Sequence, residues 1–123
     1  MSVTLPSAGK TEEAGSALKI TFLYSEDCPS HGEALRRLRR SIEMEDVRAD
    51  VDIVRVDTDE DAKKLKFVGS PTILVNGHDI DPSANPYYAL TCRAYTLEDG
   101  RISPLPPEAM IRRALREAKA KEQ

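Results

Sequence analysis

The sequence predicts an α/β sandwich in which a mixed four-stranded sheet is flanked by helices, in the order β-α-β-α-β-β-α. Three observations carry this expectation. A strand pattern, an amphipathic helix and a second strand follow one another between residues 18 and 57, which is a parallel βαβ unit with a right-handed crossover. Two further strand patterns and a terminal helix follow from residue 72, which is a ββα unit. The chain has 123 residues, enough for one domain around a single modest core.

Residues 1–16 contain Pro6, Gly9 and Gly15 with few large apolar groups, and are read as a flexible leader to a domain spanning 17–123. In the first strand, Leu18 to Tyr24, Leu18, Ile20, Phe22 and Tyr24 alternate with Lys19, Thr21 and Leu23. Ser25-Glu26-Asp27 is a polar turn, and Pro29 suits the first turn of a helix, where a missing N–H is tolerated. That helix runs to about Glu45, with Leu35, Leu38 and Ile42 on its inner face. The second strand is Val51 to Asp57. Thr58 or Asp59 caps a short helix with Ala62, Leu65 and Phe67 inward, ended by Gly69. The third strand is Thr72 to Val75. Asn76-Gly77 has hairpin chemistry, but residues 78–89 are irregular enough to read as a long surface loop. The fourth strand is Leu90 to Thr96, with Leu90, Cys92 and Ala94 on one face. After Pro104, Pro106 and Pro107, the last helix starts near Glu108, with Met110, Ile111, Ala114, Leu115 and Ala118 inward.

Composition narrows the function. A net charge of −3 and a pI near 5.4 argue against nucleic acid as the main partner. No apolar run approaches the roughly 20 residues that span a bilayer, and Met1 to Pro6 carries neither a basic nor an apolar signal region, so a cytoplasmic location is expected. In that compartment two cysteines are thiols, metal ligands or a redox pair rather than a structural disulfide. The two His and two Cys match no zinc spacing, so no metal or other cofactor is expected. Arg36, Arg37, Arg39 and Arg40, interspersed with Glu33, Glu43 and Glu45, read as a charged solvent face.

The chemistry concentrates at Cys28-Pro29-Ser30-His31, where the first strand gives way to the first helix. A cysteine at a helix mouth meets unpaired N–H groups and the positive end of the dipole, both favouring the nucleophilic thiolate, while Glu26 and Asp27 oppose it. Cys28 is thus either a low-pKa nucleophile or soft-metal ligand, or an inert thiol at a helix start. His31 either faces Cys28, where a protonated ring would stabilise the thiolate, or is a solvent-facing helix residue. Ser30 is either a donor to the sulfur or a small first-turn residue. Cys92 is either a small buried hydrophobe or a distant resolving thiol. Pro71, in Gly69-Ser70-Pro71-Thr72, is a proline at a strand entrance, and is either trans or cis.

The element order, with Cys28-Pro29 after the first strand and Ser70-Pro71-Thr72 before the third, resembles the thioredoxin-like superfamily over residues 18 to 118. The resemblance implies that Pro71 is cis and lies against the reactive thiol, and that Ser70 offers backbone atoms to an extended thiol or peptide. Pro29, Ser30, Ser70, Pro71 and Thr72 would then form the substrate-binding surface around Cys28 and His31. The usual motif is Cys-x-x-Cys, and His31 stands where the second cysteine would resolve a mixed disulfide. Cys28-Pro29, Gly69 to Thr72 and Thr91 to Tyr95 also resemble small bacterial proteins of the superfamily described as thioredoxin-like or alkylmercury-lyase-like; Cys28 and Cys92 would correspond to the two lyase cysteines, while no aspartate here matches that enzyme's motif.

The resulting expectation is a thiol–disulfide oxidoreductase of one-cysteine type acting on protein or low-molecular-weight thiols and disulfides. Cys28 is its nucleophile, and an external thiol resolves the adduct. The alternative is a non-enzymatic binding or regulatory module, with soft metal or an organomercurial held by Cys28 and Cys92 as one form of it. Cys92 falls toward the far end of the expected fourth strand, so a direct Cys28–Cys92 disulfide is not expected unless the 76–89 segment moves.

Overall fold

The computed structural model describes residues 17–82 and 88–122. The expected leader at 1–16 and the centre of the expected surface loop lie outside them. The elements are β1 (Leu18–Tyr24), α1 (His31–Met44), β2 (Ala49–Arg55), α2 (Asp59–Leu65), β3 (Thr72–Val75), β4 (His78–Asp79), β5 (Tyr95–Thr96), β6 (Ile102–Ser103) and α3 (Glu108–Glu122). The fold is α/β, with a mixed four-stranded sheet in the order β2-β1-β3-β4 and three helices among the described residues. β1 runs parallel to β2, from Leu18 beside Ala49 to Tyr24 beside Arg55, and antiparallel to β3, with Phe22 opposite Ile73.

The pleat of β1 divides its side chains between two cores. Leu18, Ile20 and Phe22 pack with Ala34 and Leu38 of α1, Ile73 and Val75 of β3, and Ile111 and Leu115 of α3. Leu23 joins Val56, Ala62 and Phe67 in a second cluster that includes α2. The sheet is therefore the middle of three layers, with α1 and α3 on one face and α2 on the other. Charged pairs tie α1 to α3 at their rim: Glu45 accepts from Arg112 at 2.7 Å, and Arg40 lies 3.5 Å from Glu108.

Several details differ from the sequence reading: β2 lies two residues earlier than the expected Val51 to Asp57, and Leu65 of α2, expected inward, is exposed. Helix α1 begins at His31, with Pro29 and Ser30 in the preceding turn, because Ser30 already supplies the first helical carbonyl to Ala34 N at 3.0 Å. Helix α2 is capped by Thr58 but stops at Lys66 in the left-handed region, before Gly69 is reached. Asn76-Gly77 does make a tight hairpin: both residues have positive φ, 52° and 84°, and β4 pairs at once with β3. Asn76 also accepts from Lys19 N through Oδ1 at 2.9 Å, which holds the turn against β1. The expected fourth strand at 90–96 is absent as such; only Tyr95–Thr96 is strand, paired with Ile102–Ser103 in a separate two-stranded ribbon. Because β4 already covers the edge of β3, the later segment has to cross over the end of the sheet instead of extending it.

Candidate functional site

The site forms where the carboxyl end of β1 meets the loop entering β3. Cys28 follows β1 in a turn closed by its own N–H donating to Ser25 O at 3.1 Å, and it is 4% exposed. It sits three residues ahead of α1, whose cap residue Ser30 makes no side-chain capping bond. Opposite it, Ser70 and Pro71 are joined by a cis peptide bond, and both are buried. Ser70 reaches back to the turn after β1: its Oγ accepts from Ser25 N at 3.0 Å.

Cys28 and Cys92 are bonded as a disulfide, with Cα atoms 5.9 Å apart across a sequence separation of 64 residues. This overturns the expectation that Cys92 is too far away for a direct bond. That expectation assumed a continuous strand at 90–96; in the folded chain residues 91–93 lie alongside Ser70. Ser70 N donates to Thr91 O at 2.7 Å, and Arg93 N donates to Ser70 O at 2.9 Å. Both backbone groups that the resemblance assigns to a bound peptide are thus taken by the chain's own segment.

Gly69 makes the close approach feasible. A Cβ at this position would stand 2.8 Å from Arg93 Cα and 2.9 Å from Arg93 N, and its φ of +130° is one that side-chain-bearing residues rarely adopt.

The segment is anchored beyond Cys92 by Arg93 and Tyr95, both buried. The Arg93 guanidinium donates to Asp79 Oδ2 at 2.8 Å, to Asp81 O at 2.5 Å and to Thr72 Oγ1 at 3.5 Å, and lies 4.6 Å from the Tyr95 ring centroid. The Tyr95 hydroxyl donates to Pro71 O at 2.5 Å. Burial pushes the Tyr95 phenol well above its usual range, with Arg93 partly opposing the shift. A raised folded-state value gives stability that is complete below the ordinary phenol value of 10 and is lost as pH rises beyond it. Tyr95→Phe is therefore expected to cost about 1 kcal/mol at neutral pH through the lost hydrogen bond. It should also flatten the alkaline fall in stability, which denaturant midpoints measured from neutrality to pH about 11 would show.

The remaining predicted site residues flank Cys28 and Pro71 in sequence. His31 is half-buried and packs its ring against Tyr24, with centroids 4.7 Å apart, so it is not the solvent-facing helix residue of the alternative reading. Pro29 is exposed and Ser30 half-buried in the turn between Cys28 and α1. Thr72 is fully buried, its hydroxyl donating to Gly69 O at 2.5 Å, so it braces the loop instead of facing outward. Glu26 pairs with Arg55 at 3.3 Å, and Arg55 also meets Asp57 at 2.9 Å, so Glu26 does not act on Cys28 as an isolated negative charge.

Arg93, Tyr95, Asp79 and Asp81 are site residues that the sequence pattern does not mark. Alternation puts Leu90, Cys92 and Ala94 on one strand face, with burial as one reading of Cys92; in the structure Arg93 and Tyr95 are buried, and Cys92 and Ala94 are exposed. The available signal was Arg93 two residues before a tyrosine, one strand face carrying both a cation and an aromatic ring. Among the described residues no group of three or more His, Cys, Asp or Glu side chains is gathered as for a metal, and no helix is long and apolar enough to cross a membrane. No protein-family model matches the sequence, and no curated protein matches it.

Proposed function

We propose that this chain is a thioredoxin-like thiol–disulfide exchange protein whose redox pair is Cys28 and Cys92. The observation that carries the reading is their bond, made between residues 64 apart in sequence and lying beside the cis Ser70–Pro71 peptide. His31 occupies the usual second-cysteine position, so a resolving thiol has to come from elsewhere, and Cys92 is already at bonding distance. In this reading the resolving step is intramolecular, unlike the external resolution expected from the motif alone. Its substrates are low-molecular-weight or protein thiols and disulfides, and its location is the cytoplasm.

A purely structural cross-link is the second reading, favoured by the burial of Cys28 and the firm anchoring of the partner segment by Arg93. Equilibration of the protein in glutathione buffers separates the two. An exchanging pair is expected to be half-reduced between about −120 and −270 mV, whereas a structural bond would resist reduction to below about −300 mV. Acceleration of protein-disulfide reduction by the wild-type chain, lost in both Cys28→Ser and Cys92→Ser, is the expected accompanying activity.

A further inference from the structure

We infer that Cys92, and not the motif cysteine Cys28, is the sulfur through which the pair exchanges with an external thiol; this rests on the exchange reading above.

Thiol–disulfide exchange needs the incoming thiolate to approach the attacked sulfur from the side opposite its bonded partner, so access to each sulfur decides which is attacked. The two cysteines differ in access. Cys28 is 4% exposed, held in the turn after β1 by its bond to Ser25 O, with buried Ser70 and Pro71 opposite. Cys92 is exposed, on a segment lying over the end of the sheet. Thr91 O and Arg93 N both point to Ser70, so the segment's inner edge is satisfied while Cys92 itself stays open to solvent.

Leaving-group chemistry runs the same way. When Cys92 is attacked, the electron pair departs on Cys28, which precedes α1 by three residues and so lies toward the positive end of its dipole, which favours negative charge. A sulfur that carries the negative charge more easily leaves faster.

The steps balance. An external thiolate attacks Cys92 Sγ; the new S–S bond forms as the Cys28–Cys92 bond breaks, and Cys28 departs as thiolate and takes up a proton from water. A second thiolate attacks the external sulfur of the mixed disulfide, releasing an external disulfide and the Cys92 thiolate. Two external thiols are oxidised and the protein pair is reduced. In reverse, the Cys92 thiolate attacks an external disulfide and releases one external thiolate, and the Cys28 thiolate then closes on Cys92 Sγ, breaking the mixed disulfide and releasing the second. Arg93, Tyr95 and Gly69 keep residues 91–93 against Ser70, so Cys92 stays within reach of Cys28 through the cycle.

The test uses the oxidised wild-type chain. It is mixed with limiting reduced glutathione, trapped in the first turnover with N-ethylmaleimide, and peptide-mapped by mass spectrometry. Glutathione on Cys92 with maleimide on Cys28, in about tenfold excess over the opposite labelling, is expected. Glutathione mainly on Cys28, or equal labelling of both, overturns the assignment while leaving exchange intact. A pair that stays oxidised with no adduct at either cysteine overturns the exchange reading as well. As an independent readout, Cys28→Ser, which retains Cys92, should react with a bulky aromatic disulfide about tenfold faster than Cys92→Ser; the reverse order would count against Cys92.

Discussion

Replacing Arg93 with Met is expected to destabilise the folded chain by about 3 kcal/mol, measured by urea unfolding at neutral pH. The side chain of Arg93 is 5% exposed and that of Asp79 17% exposed, so the substitution leaves a largely desolvated carboxylate without its counter-charge. It also strips the donors from Asp81 O and Thr72 Oγ1 and removes the cation from the Tyr95 ring. Arg93→Lys should recover little, because a single ammonium cannot serve three divergent acceptors as a planar fork does. Arg93→Met combined with Asp79→Asn should be more stable than Arg93→Met alone, since the stranded charge is gone. The same substitution should make the Cys28–Cys92 bond easier to reduce, because the segment presenting Cys92 is less firmly held. A stability change below about 1 kcal/mol with an unaltered reduction potential would mean that Arg93 does not anchor the segment.

Cys92→Ser is expected to lower stability under oxidising conditions by about 4 kcal/mol, the chain-entropy value for a loop of this size. The bond spans a sequence separation of 64 residues, so opening it restores much conformational freedom to the unfolded chain. Small domains are stable by only about 5–15 kcal/mol, so this is a large share of the total. Cys28→Ser and the double variant should show nearly the same loss, because either single change already breaks the cross-link. The urea dependence should steepen in all three, as an uncross-linked unfolded state exposes more surface. Equal midpoints for the oxidised wild type and Cys92→Ser would show that the bond constrains little in the unfolded chain.

The regular elements were legible because local pattern and burial agree. β1 and β3 appear within the predicted limits, since the alternation of Leu18, Ile20, Phe22 and the apolar run of Thr72 to Val75 each describe one geometry. The helices were recognisable from spacing, though their ends moved by one to four residues, at Pro29 and at Lys66, where caps compete. Two pieces of the later chain depart from local pattern: His78–Asp79 pairs with β3 as a short strand, and residues 90–94 follow a path with no period of their own. Alternation therefore does not show which face is buried: Arg93 is buried because Asp79, Asp81 and Tyr95 surround it, a reason spread across the chain.

The sequence by itself determined that this is an α/β chain with a cysteine placed at the junction of β1 and α1 and a proline at the entrance to β3. Those placements follow from local rules of pattern, turn and cap. Only the tertiary structure decided what that cysteine is bonded to. A glycine at position 69 admits a backbone at van der Waals range, and a buried arginine and tyrosine fasten it there. Bond formation between Cys28 and Cys92 depends on through-space distance, which a separation of 64 residues along the chain does not encode.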